Sequence, residues 1–103
     1  MSSARVSLLL SAPLASEVAR SGRYAIYPST RAQLARDALR VGVSELREGR
    51  SLPVLPSHVA GPVALRSSVV VSEGLRSELC LVAHRLGLSL SEAVRRVLWL
   101  GLL

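Results

Sequence analysis

The most regular alternation of apolar and polar positions lies towards the C-terminal end of the chain. Positions 66–72, RSSVVVS, are short, rich in β-branched residues and bounded by polar ones, which predicts a β-strand of about 23 Å. From Glu73 the period changes. Leu75, Leu79, Val82, Ala83 and Leu86 fall on one helical face, Ser72 can cap the start, and Gly87 can close the helix in a left-handed turn. After Gly87-Leu88, Ser89-Leu90-Ser91-Glu92 has the form of a Ser-x-x-Glu capping box, and Ala93, Val94, Val97, Leu98 and Gly101 trace a second apolar stripe. The predicted order is strand, helix, helix.

The N-terminal third repeats this order. Positions 5–11, RVSLLLS, match 66–72 at an offset of 61, with Arg5, Ser7 and Ser11 meeting Arg66, Ser68 and Ser72 identically. Thr30-Arg31-Ala32-Gln33 supplies a second capping box, and Leu34, Ala35, Ala38, Leu39 and Gly42 reproduce the later stripe at an offset of 59, with Arg36 falling on Arg95. The change of offset lies between Ser16 and Thr30. It implies a shorter first helix, based on Leu14 and Val18 and ending near Gly22, followed by a longer connection through Tyr24, Ile26, Tyr27 and Pro28. Between the repeats, positions 44–65 hold Pro53, Pro56, Pro62 and two glycines. They are expected to form a linker with one extra helical turn at 44–48. Its 22 positions span up to about 70 Å when extended, enough to bring the second strand beside the first.

A unit of about 40 residues cannot bury the apolar face of one strand alone, so each repeat needs the other. The expected division is a first unit at 1–43, the linker at 44–65 and a second unit at 66–103, with the two units sharing one core. Alternation along the strands then sends Val6, Leu8, Leu10, Val69 and Val71 inwards, and Arg5, Ser7, Leu9, Arg66, Ser68 and Val70 outwards. Each copy would thus present an Arg, a Ser and one aliphatic side chain, unless Leu9 and Val70 signal a sheet buried on both faces.

The segment SVVVSEGLRSELCLVAHRLGLSLSEAVRRVLWLGL resembles the ribbon-helix-helix family of Arc-, MetJ- and CopG-type repressors. The resemblance rests on the short alternating strand, the Leu79/Ala83 spacing, the Gly-Leu-Ser turn and the Ser-Glu-x-x-Arg pattern opening the second helix. It extends more weakly over 5–43. It implies a mainly α fold with a two-stranded antiparallel β-ribbon, here as a tandem ribbon-helix-helix: a pseudo-dimer within one chain, or units intertwined between chains. In that family the ribbon enters the major groove of double-stranded DNA and the helices form the core beneath it. The resemblance therefore implies base contacts from Arg5, Ser7, Leu9, Arg66, Ser68 and Val70. The aliphatic third position departs from the polar residue usual there. Arg can fork onto guanine, Ser can donate or accept, and an aliphatic group can touch a thymine methyl. The first turns of the second helices, with Ser29, Thr30 and Arg31 in one copy and Ser89, Leu90 and Ser91 in the other, are expected to accept phosphate oxygens on their unpaired N–H groups, a role compatible with ordinary capping.

Charge agrees with an anionic partner. Thirteen basic residues, all Arg, stand against seven acidic ones for a net +6. Arg36/Arg40 and Arg95-Arg96 are expected to form solvated helix faces that add to this field. Cys80, the single cysteine, is expected as a small buried thiol, and His58 and His84 as surface residues far from any metal-ligand spacing. No nucleophile and base are arranged for catalysis and no glycine-rich phosphate loop is present, so no enzyme activity, metal or cofactor is expected. Arg or Glu interrupts every apolar run before it reaches membrane-spanning length, and the run at 6–10 is short for an export signal, which predicts a cytoplasmic protein. Trp99 and Leu102 belong to a C-terminal stretch more apolar than one core-facing stripe requires. They are expected either to mediate self-association of units along DNA or to pack against the linker. The expected function is transcriptional repression by sequence-specific binding. The alternatives are an antitoxin-like module whose linker or C-terminus wraps a toxin, and a packaging protein with non-specific affinity for nucleic acid.

Overall fold

A computed structural model describes residues 2–22 and 29–103. The order is β1 (Ser3–Leu10), α1 (Ala12–Ser21), α2 (Arg31–Arg47), β2 (Leu65–Ser72), α3 (Glu73–Leu86) and α4 (Leu90–Leu102). Four helices and a two-stranded antiparallel sheet make a mainly α domain. Its radius of gyration of 12.7 Å is close to the ~13 Å of one compact body of about 100 residues, so both ends of the chain share one interior. The connection expected after Gly22 falls on residues 23–28, outside the described residues.

β1 and β2 pair within the one chain, with Ser7 opposite Ser68 at the centre, Arg5 opposite Val70 and Leu9 opposite Arg66. Alternation works as the sequence predicts: Val6, Leu8, Leu10, Val69 and Val71 are buried beneath the ribbon. They join Leu14 and Val18 of α1, Ala35, Leu39 and Val43 of α2, Leu79 of α3, and Val94, Val97 and Leu98 of α4 in one cluster. Leu75 and Val82 are half-buried at the margin of the α3 stripe, whereas Leu86 lies outside the core and is exposed.

Local chemistry sets the helix ends. Ser11 and Ser72, equivalent at the strand offset of 61, are the N-caps of α1 and α3, accepting from Leu14 N at 3.2 Å and Leu75 N at 3.1 Å. Gly87 closes α3 at φ +67°, a conformation that costs glycine nothing. The turn expected at 44–48 continues α2, which runs unbroken to Arg47.

α2 and α4 cross at their glycines. A Cβ on Gly42 would strike the backbone and side chain of Val97, and one on Gly101 would strike the backbone of Ala38. The contacts 42–97 and 38–101 interchange under the helix offset of 59, and they show the two helices antiparallel at the crossing.

The segment between α2 and β2 is packed more closely than a loose linker. Val59 is fully buried, Leu52 and Leu55 lie half-buried against the core, and Ser11 Oγ donates to Val59 O at 2.6 Å. Ala64 N donates to Leu10 O at 2.8 Å, prolonging the ribbon by one bond beyond Pro62. The sequence conceals this docking because no helical or strand period runs through the prolines. Cys80 is half-buried instead of buried, with Arg76 Nη1 3.9 Å from its sulfur.

Candidate nucleic-acid interface

The outer face of the ribbon carries Ser3, Arg5, Ser7 and Leu9 on β1, and Arg66, Ser68, Val70 and Ser72 on β2. All are exposed except Leu9, which is half-buried; Val70 retains 43 % of its surface. The sheet is therefore covered on one side only, and the outward set is the one that strand alternation predicts. The face holds two arginines and no acidic residue, and no carboxylate among the described residues pairs with Arg5 or Arg66.

The register makes this face nearly two-fold symmetric about the Ser7/Ser68 pair, because the Arg5/Val70 row exchanges with the Leu9/Arg66 row. Those rows lie four residues apart, about 13 Å along the ribbon, or roughly four base-pair steps of duplex. Arg5 Nη1 leans towards Ser68 Oγ at 3.4 Å, a weak contact that leaves the guanidinium available.

Two further arginines bind the ribbon from the helices. Arg36 of α2 donates from Nε to Val70 O at 2.8 Å, and Arg95 of α4 donates from Nη1 to Leu9 O at 3.1 Å. The two bonds interchange under the same offsets, and each crosses between the N- and C-terminal thirds. The sequence places Arg36 on Arg95 but leads to an expectation of solvated faces, because helical periodicity cannot register a long side chain reaching back to a strand. Of the neighbouring arginines, Arg40 is the exposed one, paired with Asp37 at 3.5 Å.

The bonds hold the opening turns of α2 and α4 beside the ribbon. Thr30 caps α2 with a complete box: Gln33 N donates to Thr30 Oγ1 at 3.2 Å, and Thr30 N donates to Gln33 Oε1 at 2.9 Å. Ser89 caps α4 by accepting from Glu92 N at 3.1 Å. The box is only half made there, since the Glu92 carboxylate turns to Arg95 at 3.2 Å and Arg96 at 3.6 Å. Ser29, Thr30 and Arg31 are exposed, as is Ser89, whereas Leu90 and Ser91 are half-buried.

Trp99 and Leu102 do not belong to this face. Trp99 is half-buried with its ring edge-on to His58, centroids 5.7 Å apart, and Leu102 packs against the core margin. The segment between α2 and β2 thus covers part of the C-terminal apolar surplus. Among the described residues no group of three His, Cys, Asp or Glu side chains is placed to hold a metal ion, and no helix is long and apolar enough to cross a membrane. Searches against protein-family models, curated proteins and solved structures give no match to this chain.

Proposed function

We propose that this chain binds double-stranded DNA as a tandem ribbon-helix-helix protein, one polypeptide supplying both strands of a ribbon that enters the major groove and acts as a transcriptional repressor. The observation that carries the proposal is the exposed, acid-free ribbon face, whose Arg-Ser-aliphatic triplets face each other about the Ser7/Ser68 row. Paired strands of this kind fit a major groove about 12 Å wide. The exchange-related bonds of Arg36 and Arg95, and the reciprocal crossing at Gly42 and Gly101, support a duplicated unit folded as a pseudo-dimer. In this reading Arg5 and Arg66 fork onto guanines, and Ser7, Ser68, Leu9 and Val70 contact neighbouring base edges. The capped starts of α2 and α4, with Arg31, take phosphates on either side.

The test is selection of bound duplexes from a random pool, repeated with Arg5→Ala/Arg66→Ala after circular dichroism has established that the variant folds. The wild-type chain should enrich a short, imperfectly palindromic site, and the variant should lose preference at the guanine positions. Equal enrichment by both proteins would remove base reading by these arginines. No enrichment by the wild type would overturn sequence-specific binding altogether.

A further inference from the structure

We infer that Arg36 and Arg95 are positioning residues for base recognition, each fixing the ribbon strand of the opposite half of the molecule; this rests on the DNA-binding reading above. Leu9, whose carbonyl Arg95 holds, lies opposite Arg66, and Val70, whose carbonyl Arg36 holds, lies opposite Arg5. Each helix-borne arginine therefore anchors the row that contains one base-reading arginine. A guanidinium donating to a backbone carbonyl forms a charge-assisted bond with a planar, rigid donor. Base recognition tolerates misplacement of only about 0.5 Å, so a strand free to rock on its helices would present Arg5 or Arg66 off target.

The two anchors differ in strength. Arg95 is only 21 % exposed and is itself held by Glu92 at 3.2 Å. The position equivalent to Glu92 is Gln33, whose side chain is engaged by Thr30 N, and no carboxylate among the described residues pairs with Arg36. The Arg66 row is consequently held by a braced arginine and the Arg5 row by an unbraced one. The half-site read by Arg66 should be the more stringent of the two.

The experiment compares wild type, Arg36→Met and Arg95→Met by duplex selection and by binding at several salt concentrations. Amide hydrogen exchange without DNA runs in parallel, and Arg36→Lys and Arg95→Lys serve as variants that keep a donor. Arg95→Met should lose roughly tenfold in discrimination at the bases of the Arg66 half and keep the other half. Arg36→Met should do the reverse with a smaller loss, and the Lys variants should recover part of each. Exchange should quicken in β1 for Arg95→Met and in β2 for Arg36→Met, and the salt slope should stay unchanged. A uniform fall in affinity with the slope reduced by about 0.9 would make these residues phosphate contacts and overturn the inference. So would a wild-type preference that both Met variants keep. A wild-type chain without sequence preference would overturn the DNA reading itself and this inference with it.

Discussion

The α2–α4 crossing gives the sharpest test of the fold. Gly101 is the penultimate residue of α4, where changing Gly to Ala in isolation stabilises a helix by at most about 1 kcal/mol. Here the added methyl would lie 2.6 Å from the carbonyl carbon of Ala38 and 3.0 Å from its Cα, besides colliding with the carbonyl oxygen. These are backbone atoms of the facing helix, so no side-chain rotation relieves the clash and the helices must separate. Separation loosens Ala35, Leu39, Val94, Val97 and Leu98, all buried at or beside the crossing. Overpacking of this kind costs about 1–3 kcal/mol, and the rigidity of the obstacle puts Gly101→Ala at the upper end. After the helix-propensity gain, a net loss of about 2 kcal/mol remains, which lowers the melting temperature by roughly 8–16 °C in a domain of this size. Gly42→Ala meets Val97 Cγ1 at 2.8 Å and the Val97 backbone and should lose a comparable amount. The double variant should lose less than the sum, because one separation relieves both clashes. Gly74→Ala is the control: its methyl would meet only Ser72 Oγ, at 3.9 Å, so it should be neutral or stabilising. Thermal and urea unfolding of all four proteins decide the matter. A Gly101→Ala protein as stable as Gly74→Ala would refute the close crossing.

Four other outcomes are expected. If four phosphates are neutralised, log K should fall against log[salt] with a slope near −3.6, and a flat dependence would contradict the DNA reading. Ser11→Ala removes both a cap and the buried bond to Val59 O, so urea unfolding should show a loss of about 2–3 kcal/mol; Ser72→Ala removes an exposed cap alone and should lose about 1 kcal/mol, and equal losses would argue against docking of the segment around Val59. Because β1 pairs with β2 of the same chain, the melting temperature should not depend on protein concentration, whereas a rise with concentration would indicate strands exchanged between chains. Trp99→Asp should destabilise the fold by about 1–3 kcal/mol without altering sedimentation, since Trp99 is half-buried with its ring against His58 of its own chain; loss of a larger wild-type species in the variant would mark a self-association surface instead.

The sequence made the regular parts of this fold legible and concealed the parts that depend on long reach. Strand alternation placed every outward residue from Arg5 to Leu9 and from Arg66 to Val70 on the correct face, because a two-residue period leaves no other arrangement once Val6, Leu8 and Val69 must be buried. Cap chemistry located the helix starts at Thr30, Ser72 and Ser89 within the same logic, and the cap at Ser11 follows from its match to Ser72 at the strand end. Val59 escaped detection because a single anchor residue among prolines has no period. Arg36 and Arg95 looked solvated because helix position predicts where a side chain leaves the backbone, and an arginine can carry its charge several ångströms further to a carbonyl.

The equivalences between the two ends of the chain separate positions that the architecture constrains from positions that are free to differ. On the proposed tandem reading, a pseudo-dimer made from one polypeptide, unlike a pair of identical chains, can alter one half without altering the other. Among the pairs that agree in kind, Ser11/Ser72, Arg36/Arg95 and Gly42/Gly101 lie where a helix starts at the end of a strand, where a helix grips the ribbon, and where two backbones touch. Other pairs differ, some of them beside those junctions. Trp99 corresponds to Arg40, and only Trp99 has the His58 segment beside it. Glu92 corresponds to Gln33, and only Glu92 braces its arginine. Since the segment between α2 and β2 can cover only one of the two equivalent sides, apolar surface is useful on that side and charge on the other. If the chain binds DNA as proposed, the same asymmetry, carried to the ribbon through Arg95 and Arg36, predicts two half-sites of related sequence but unequal stringency.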